Sequence, residues 1–127
     1  MSDLLASATR LAQDRLMRGA ADVDRCGVRR ADLDALGEAG LLGAALAPAA
    51  TFRAVQEVLA GADASTWFVQ AQHHYPVRLL AGATSPELVR VCGDLVAGRD
   101  QEIRDCLSAA VGGGGTRIAD GQDEAAD

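Results

Sequence analysis

Apolar residues recur every three or four positions along most of this chain, and no segment alternates apolar and polar residues as a half-buried strand does. The 127 residues are enough for one hydrophobic core. With only two Phe, one Trp and one Tyr, that core has to consist of aliphatic and small side chains, which favours closely packed helices. The sequence therefore predicts an all-α protein, an irregular bundle of about five helices.

The first two predicted helices lie within the first 40 residues. Leucines and alanines at helical spacing predict a helix from Leu4 to about Arg18. Residues 22–27 are rich in aspartate and end in glycine, which predicts a turn. A second, short helix follows and ends at Gly40, because glycine readily adopts the left-handed conformation that closes a helix.

Capping residues mark the starts of the next two helices. Thr51 is the predicted cap of the third helix, which should end near Gly61. Asp63 and Ser65 are both candidate caps of the fourth helix. Pro76 should bend or end that helix, since proline removes one backbone hydrogen bond and clashes with the preceding turn.

The remainder of the chain contains a fifth helix and a segment of different composition. Residues 85–87 provide a serine cap, a proline at the first helical position and a carboxylate near the positive helix end. Residues 112–115 are four consecutive glycines, and the last residues are acidic. We therefore divide the chain into a helical domain, residues 1–99, and an acidic, glycine-rich tail, residues 100–127, for which we expect disorder.

Charge and hydropathy exclude several classes of protein. The net charge is −6 and the twelve basic residues, all Arg, are scattered, which argues against nucleic-acid binding. No apolar run approaches the roughly 20 residues that a membrane-spanning helix needs, and the first residues lack a signal-peptide pattern. Three cysteines without a Cys-x-x-Cys pair favour reduced thiols. A cytoplasmic location is expected.

Two groups of residues have the side chains of a catalytic or metal site but not the spacing. Adjacent His73 and His74 point about 100° apart on a helix, so a shared metal is disfavoured, and we expect one at the surface and one half-buried. Asp63, Ser65 and His73 have the residue types of a nucleophilic site, but no nucleophile elbow accompanies them, and helix capping is favoured.

Two further candidates have plain structural explanations. Asp32 and Asp34 could share a proton, but they lie at the start of a helix, where capping and solvation explain them. Cys92 lies on the apolar face of the fifth helix, which favours a buried structural thiol over a reactive one. Taken alone, the residues predict a helical domain and no active site.

In their order and spacing, four stretches resemble the N-terminal helical domain of the flavin-dependent acyl-CoA dehydrogenase family. They are Asp22-Val23-Asp24-Arg25, Arg30 to Gly43 with its Leu-Gly-Glu-Ala-Gly-Leu-Leu-Gly end, Phe52 to Ala64, and Asp63 to Gly98. The resemblance covers about residues 4–99. It departs from the family in a shortened loop after Pro48, and residues 100–127 do not resemble the β domain that follows in the family.

The resemblance implies a reaction in which a carboxylate base removes the α-proton of an acyl thioester while hydride passes from the β-carbon to FAD. In the family the base and most FAD contacts lie in other domains, so this chain is expected to be inactive and not to hold FAD alone. The resemblance also places Val69, Gln70 and His73 on one wall of the pocket for acyl-CoA or a related substrate. Ordinary helix packing is the alternative role of these three residues.

A second hypothesis is a helical protein-interaction module. A helical domain without its family neighbours would expose an apolar patch, and such patches usually mark partner sites. The partner would be a second copy of the chain, giving a homo-oligomer, or a full-length relative.

Overall fold

The computed structural model describes residues 3–98 and the backbone of residues 118–119. As predicted, the fold is all-α. The helices are α1 (Asp3–Leu11), α2 (Met17–Cys26), α3 (Arg30–Glu38), α4 (Ala49–Ala62), α5 (Ala64–Gln72), α6 (His74–Ala81) and α7 (Pro86–Ala97). A π-helical segment, Ala12–Leu16, joins α1 to α2, and a 3₁₀ helix, Leu41–Leu46, precedes α4. The predicted tail, residues 100–127, lies outside the described residues except at its two-residue strand.

Strands β1 (Val28–Arg29) and β2 (Ile118–Ala119) pair in parallel, with Val28 opposite Ile118. The expectation of no sheet is therefore wrong at this one short pair. Two residues are too few to show the alternation by which a strand is recognised in sequence.

The first helix is longer than predicted. Its α1, π-helical and α2 parts follow one another without a gap to Cys26, so the turn predicted over residues 22–27 is wrong up to that residue. Val23 is buried there, and an ion pair between Arg25 and Asp22, one helical turn apart, lies on the exposed side. Only Gly27, with φ of 94° and ψ of 170°, ends the helix.

The core lies between the long first helix, α3, α4 and the 3₁₀ helix. Helix α1 packs on α4, α4 on α5, and α6 on both α7 and the 3₁₀ helix. The largest fully buried apolar side chains are aliphatic, as the composition predicts: Leu16, Val23, Val28, Leu36, Leu41, Val55, Leu59, Val77 and Leu95.

Most predicted helix ends are confirmed. Gly40 is left-handed, with φ of 74°, directly after the turn that closes α3. The Ser85 hydroxyl accepts a hydrogen bond from the Leu88 amide at 3.3 Å and caps α7. Thr51 is not a cap, because α4 already begins at Ala49, after Pro48.

The break in the predicted fourth helix precedes Pro76. Helix α5 ends at Gln72 and α6 begins at His74, so that Pro76 is the third residue of α6. Proline has no amide hydrogen for the carbonyl four residues earlier and its ring clashes with that carbonyl, which here belongs to Gln72. The disruption therefore lies one turn before the proline. His73 keeps helical dihedral angles, φ −68° and ψ −23°, so α5 and α6 remain nearly continuous.

Replacing Gly27 by alanine should destabilise the protein by about 1–3 kcal/mol, because its φ and ψ are accessible almost only to glycine. Urea unfolding of the wild type and the variant measures this difference. The control is Gly61→Ala in α4, where an added Cβ meets nothing within 4 Å and better helix propensity should add up to about 1 kcal/mol. Equal stability of Gly27→Ala and the wild type would contradict the prediction.

Candidate functional site

The inward face of α5 is polar, although it lies in the interior of the bundle. Thr66, Gln70 and His73 are spaced by four and three residues and are all at least 96% buried. Nε2 of Gln70 donates to the Leu41 carbonyl at 3.0 Å. Nε2 of His73 lies 2.7 Å from the Leu95 carbonyl, which can only accept, so this nitrogen carries the proton. These bonds hold α5 against the 3₁₀ helix and α7.

Asp63 fixes the start of α5. Its Oδ1 accepts from the amides of Ser65 at 3.1 Å and Thr66 at 3.4 Å, and its Oδ2 accepts from the Thr66 hydroxyl at 2.5 Å. The predicted capping role of Asp63 is confirmed. Asp63 and His73 stand at opposite ends of α5, about 15 Å apart along its axis, so the helix does not bring them together with Ser65.

The three predicted pocket residues are divided between two environments. Val69 is half-buried and packs against the hydrophobic core. Gln70 and His73 are buried, and both bond to main-chain carbonyls of neighbouring segments. Among the described residues, Oε1 of Gln70 has no hydrogen-bond partner. The structure shows these three residues in contacts between neighbouring helices. Their role in an acyl pocket stays a prediction.

Both histidines at the α5–α6 junction are buried, His73 at 4% and His74 at 5% exposure, so the expectation of one surface histidine is wrong. Their side chains point in different directions, and each packs against a different helix. His73 contacts α7, whereas the ring of His74 lies edge-to-face on Phe52 of α4, with 4.9 Å between the ring centroids. On the same Phe52 ring, the guanidinium of Arg78 lies 4.7 Å from the centroid.

His74 is held in its neutral form. Neither ring nitrogen has a hydrogen-bond partner in the part of the chain that the structure describes. Burial, together with the nearby charges of His73 and Arg78, lowers the pKa of His74 to about 4. A proton on this ring would place a charge in an apolar setting beside another cation.

The sequence did not predict the buried ion cluster at the start of α3. Asp32 is fully buried, so the expected solvation of its carboxylate is wrong. Its Oδ1 accepts from Nε of Arg15 at 2.5 Å and its Oδ2 from Nε of Arg29 at 2.8 Å. This hydrogen bond to Asp32, with the carboxylates of Asp22 and Asp63 nearby, raises the pKa of Arg29. Arg15 and Asp32 are 17 residues apart, and no local pattern marks such a pair.

Cys92 is half-buried rather than fully buried, with its Sγ 3.9 Å from the Val77 carbonyl. That placement agrees with a structural thiol at the interface of α6 and α7. In the part of the chain that the structure describes, no group of three or more His, Cys, Asp or Glu could hold a metal ion.

A depression of about 360 Å³ lies beside the π-helical segment. It is lined by Ser7, Arg10, Leu11, Asp14 and Ala39. This lining has no aromatic ring on which a flavin could stack, and Arg10 bonds to Ser7 across it. These residues do not fit FAD, and we assign no step of a flavin reaction to them.

Comparison with known proteins identifies no relative: no family model, no curated protein and no solved structure matches the chain. The resemblance to the acyl-CoA dehydrogenases therefore stays a prediction. Within residues 3–98, no helix is long and apolar enough to cross a membrane.

Lowering the pH from 6.5 to 4 should destabilise the protein through His74. The pKa of His74 in the folded protein is below the unfolded value of 6.5, so between these two pH values the unfolded state binds a proton at His74 and the folded state does not. The contribution of His74 is complete above pH 6.5 and is lost as the pH falls toward 4, by about 1.4 kcal/mol per unit. The total loss is on the order of 3 kcal/mol.

Urea unfolding at several pH values checks this loss, with His74→Gln as the matched variant because glutamine stays neutral throughout. The difference in unfolding free energy between the two proteins should shrink or reverse as the pH falls. Parallel curves for both proteins between pH 7 and pH 4 would rule out His74 as the cause.

Proposed function

We propose that this chain acts as the N-terminal helical domain of a flavin-dependent oxidoreductase of the acyl-CoA dehydrogenase type, which acts on the CH–CH bond of acyl thioesters. The observation that supports it best is the succession of helices that accompanies the sequence resemblance. A short helix closed by Gly40 leads to α4, then to α5 capped by Asp63, and finally to α7, which begins at Pro86 and ends at left-handed Gly98.

In this proposal the chain contributes packing and pocket shape rather than the catalytic base. The bonds of Gln70 to Leu41 and of His73 to Leu95 support a positioning role for α5. Val69, Gln70 and His73 would set one wall of the acyl-CoA pocket through the position of that helix. FAD would be held by other domains, and the enzyme would act in the cytoplasm.

The isolated chain should be helical by circular dichroism, lack yellow flavin absorbance after purification with added FAD, and oxidise no acyl-CoA of any chain length. The physical reason is that the proposal places the base and most flavin contacts in other domains. Turnover by the isolated chain would contradict the proposal.

Because inactivity alone does not identify a family, the coding DNA beyond codon 99 provides the positive test. If the chain is a truncated or frame-shifted form of such an enzyme, translation of this DNA in all three frames should reveal a strand-rich segment followed by further long helices, as the dehydrogenase architecture requires. If no frame encodes such a continuation, the proposal fails and the interaction-module function becomes the better explanation.

Exposed apolar residues favour that second function, docking on a second copy of the chain or on a full-length relative. Phe68, Tyr75 and Leu79 are 44%, 71% and 62% exposed. They are separated by seven and four residues on the nearly continuous α5–α6 segment, a spacing that places them on one helix face. We call these three residues the α5–α6 stripe.

If the α5–α6 stripe is an interface, Leu79→Gln should weaken self-association by roughly tenfold or more, since one exposed leucine contributes about 1.5–3 kcal/mol when buried. Sedimentation equilibrium over a wide concentration range measures the association. Met17→Gln is the matched control, because Met17 is 58% exposed but lies on α2. A monomeric wild type that also fails to bind a full-length dehydrogenase would exclude this function.

A further inference from the structure

The ion cluster around Asp32 contains more positive charge than the buried carboxylate requires. An arginine and a carboxylate commonly pair through two parallel hydrogen bonds, so one guanidinium can neutralise and saturate a buried aspartate. Here Arg15 and Arg29 each donate only Nε to Asp32. The Nη groups of both arginines make no hydrogen bond with the described residues, and the two side chains are 41% and 38% exposed.

The two guanidinium groups are held in place rather than free to move. Each is anchored to one oxygen of the same immobile carboxylate, so the two groups lie side by side. The guanidinium of Arg29 also lies directly on the backbone of α2, because a Cβ built on Gly19 would come within 2.0 Å of Nη2 and 2.8 Å of Cζ. Only glycine leaves room for this arrangement, and preorganised donors lose little freedom when a ligand binds.

A third arginine lies about one helical turn after Arg15. Arg18 is exposed and follows Arg15 by three residues on the long first helix, a spacing that makes them neighbours. Asp22, an exposed carboxylate of α2 whose charge acts on Arg29, is already paired with Arg25. Asp63 is engaged with the start of α5.

The guanidinium groups outnumber the one carboxylate that they bind. Arg15 and Arg29 both bond to Asp32, and Arg18 adds a third positive charge, while Asp14 and Asp22 on the same helix are exposed; the net charge of the chain is −6. A cationic cluster on an acidic protein attracts small anions without attracting the long polyanions that the whole molecule repels.

We propose that Arg15, Arg18 and Arg29 form a binding site for a phosphate group. Phosphate fits this arrangement better than a carboxylate does, because its several oxygens can accept from the Nη groups of more than one arginine at once. Asp32 holds the guanidinium groups of Arg15 and Arg29 through their Nε atoms, and Arg18 adds a third guanidinium from α2. The proposal is independent of the acyl-CoA dehydrogenase function.

Titration calorimetry with inorganic phosphate tests the site, with chloride at equal ionic strength as the reference to remove general screening. We expect saturable binding at one site with a dissociation constant on the order of 1 mM, and a rise in melting temperature in phosphate but not in chloride. Arg18→Gln should weaken the binding about fivefold. Arg10→Gln, an exposed arginine on α1, is the matched control and should bind as the wild type does.

A second variant keeps the test independent of Arg18. In Gly19→Ala the added methyl displaces the guanidinium of Arg29, so phosphate binding should weaken while circular dichroism confirms the fold. Methyl phosphate is compared with the free ion: tighter binding of the ester assigns the site to a phosphorylated ligand, and tighter binding of the ion assigns it to phosphate itself. Unsaturable binding, equal losses in Arg10→Gln and Arg18→Gln, or wild-type binding by both Arg18→Gln and Gly19→Ala would overturn the proposal.

Discussion

The structure depends first on the compensation of one buried charge. The carboxylate of Asp32 is fully enclosed, and an enclosed carboxylate without partners would cost several kcal/mol. Arg15 provides a partner from the π-helical segment, so the bond fixes α3 against the first helix. Ala8, Ala12 and Leu16 are buried at intervals of four along α1 and the π-helical segment, so this face of the first helix lies in the core.

The polar face of α5 bonds to main-chain carbonyls of two other elements. His73 donates to the Leu95 carbonyl in the last turn of α7, which also accepts from the Gly98 amide, and Gln70 donates to the Leu41 carbonyl at the first residue of the 3₁₀ helix. A buried side-chain donor without a partner costs about 1–3 kcal/mol, so these carbonyls compensate the burial of both side chains. The pairing keeps polar side chains in an otherwise aliphatic core.

The helix caps and one helix-ending glycine could be predicted from the sequence, because adjacent residues determine them. The cap at Asp63, the cap at Ser85 and the left-handed glycine at residue 40 follow from the residues themselves and their immediate neighbours. The burial of Asp32 and of both histidines at the α5–α6 junction depends on partners 15 or more residues away, which no periodic pattern reveals. An aspartate near a helix start and a histidine pair have the same local sequence whether they face solvent or a packed helix, so burial could not be predicted for them.

These polar interactions also limit where a function can reside. Asp32, Gln70 and His73 bond to groups of other elements, and Asp63 caps α5, so disturbing any of them would remove a contact between elements or that cap. Recognition of a ligand or partner is therefore expected at groups that these contacts leave unused. Two such features are the α5–α6 stripe and the Nη nitrogens of Arg15 and Arg29, whose Nε nitrogens bond to Asp32. One is apolar and the other cationic, and they lie on different helices, so a partner domain could cover the stripe while an anion occupies the cluster.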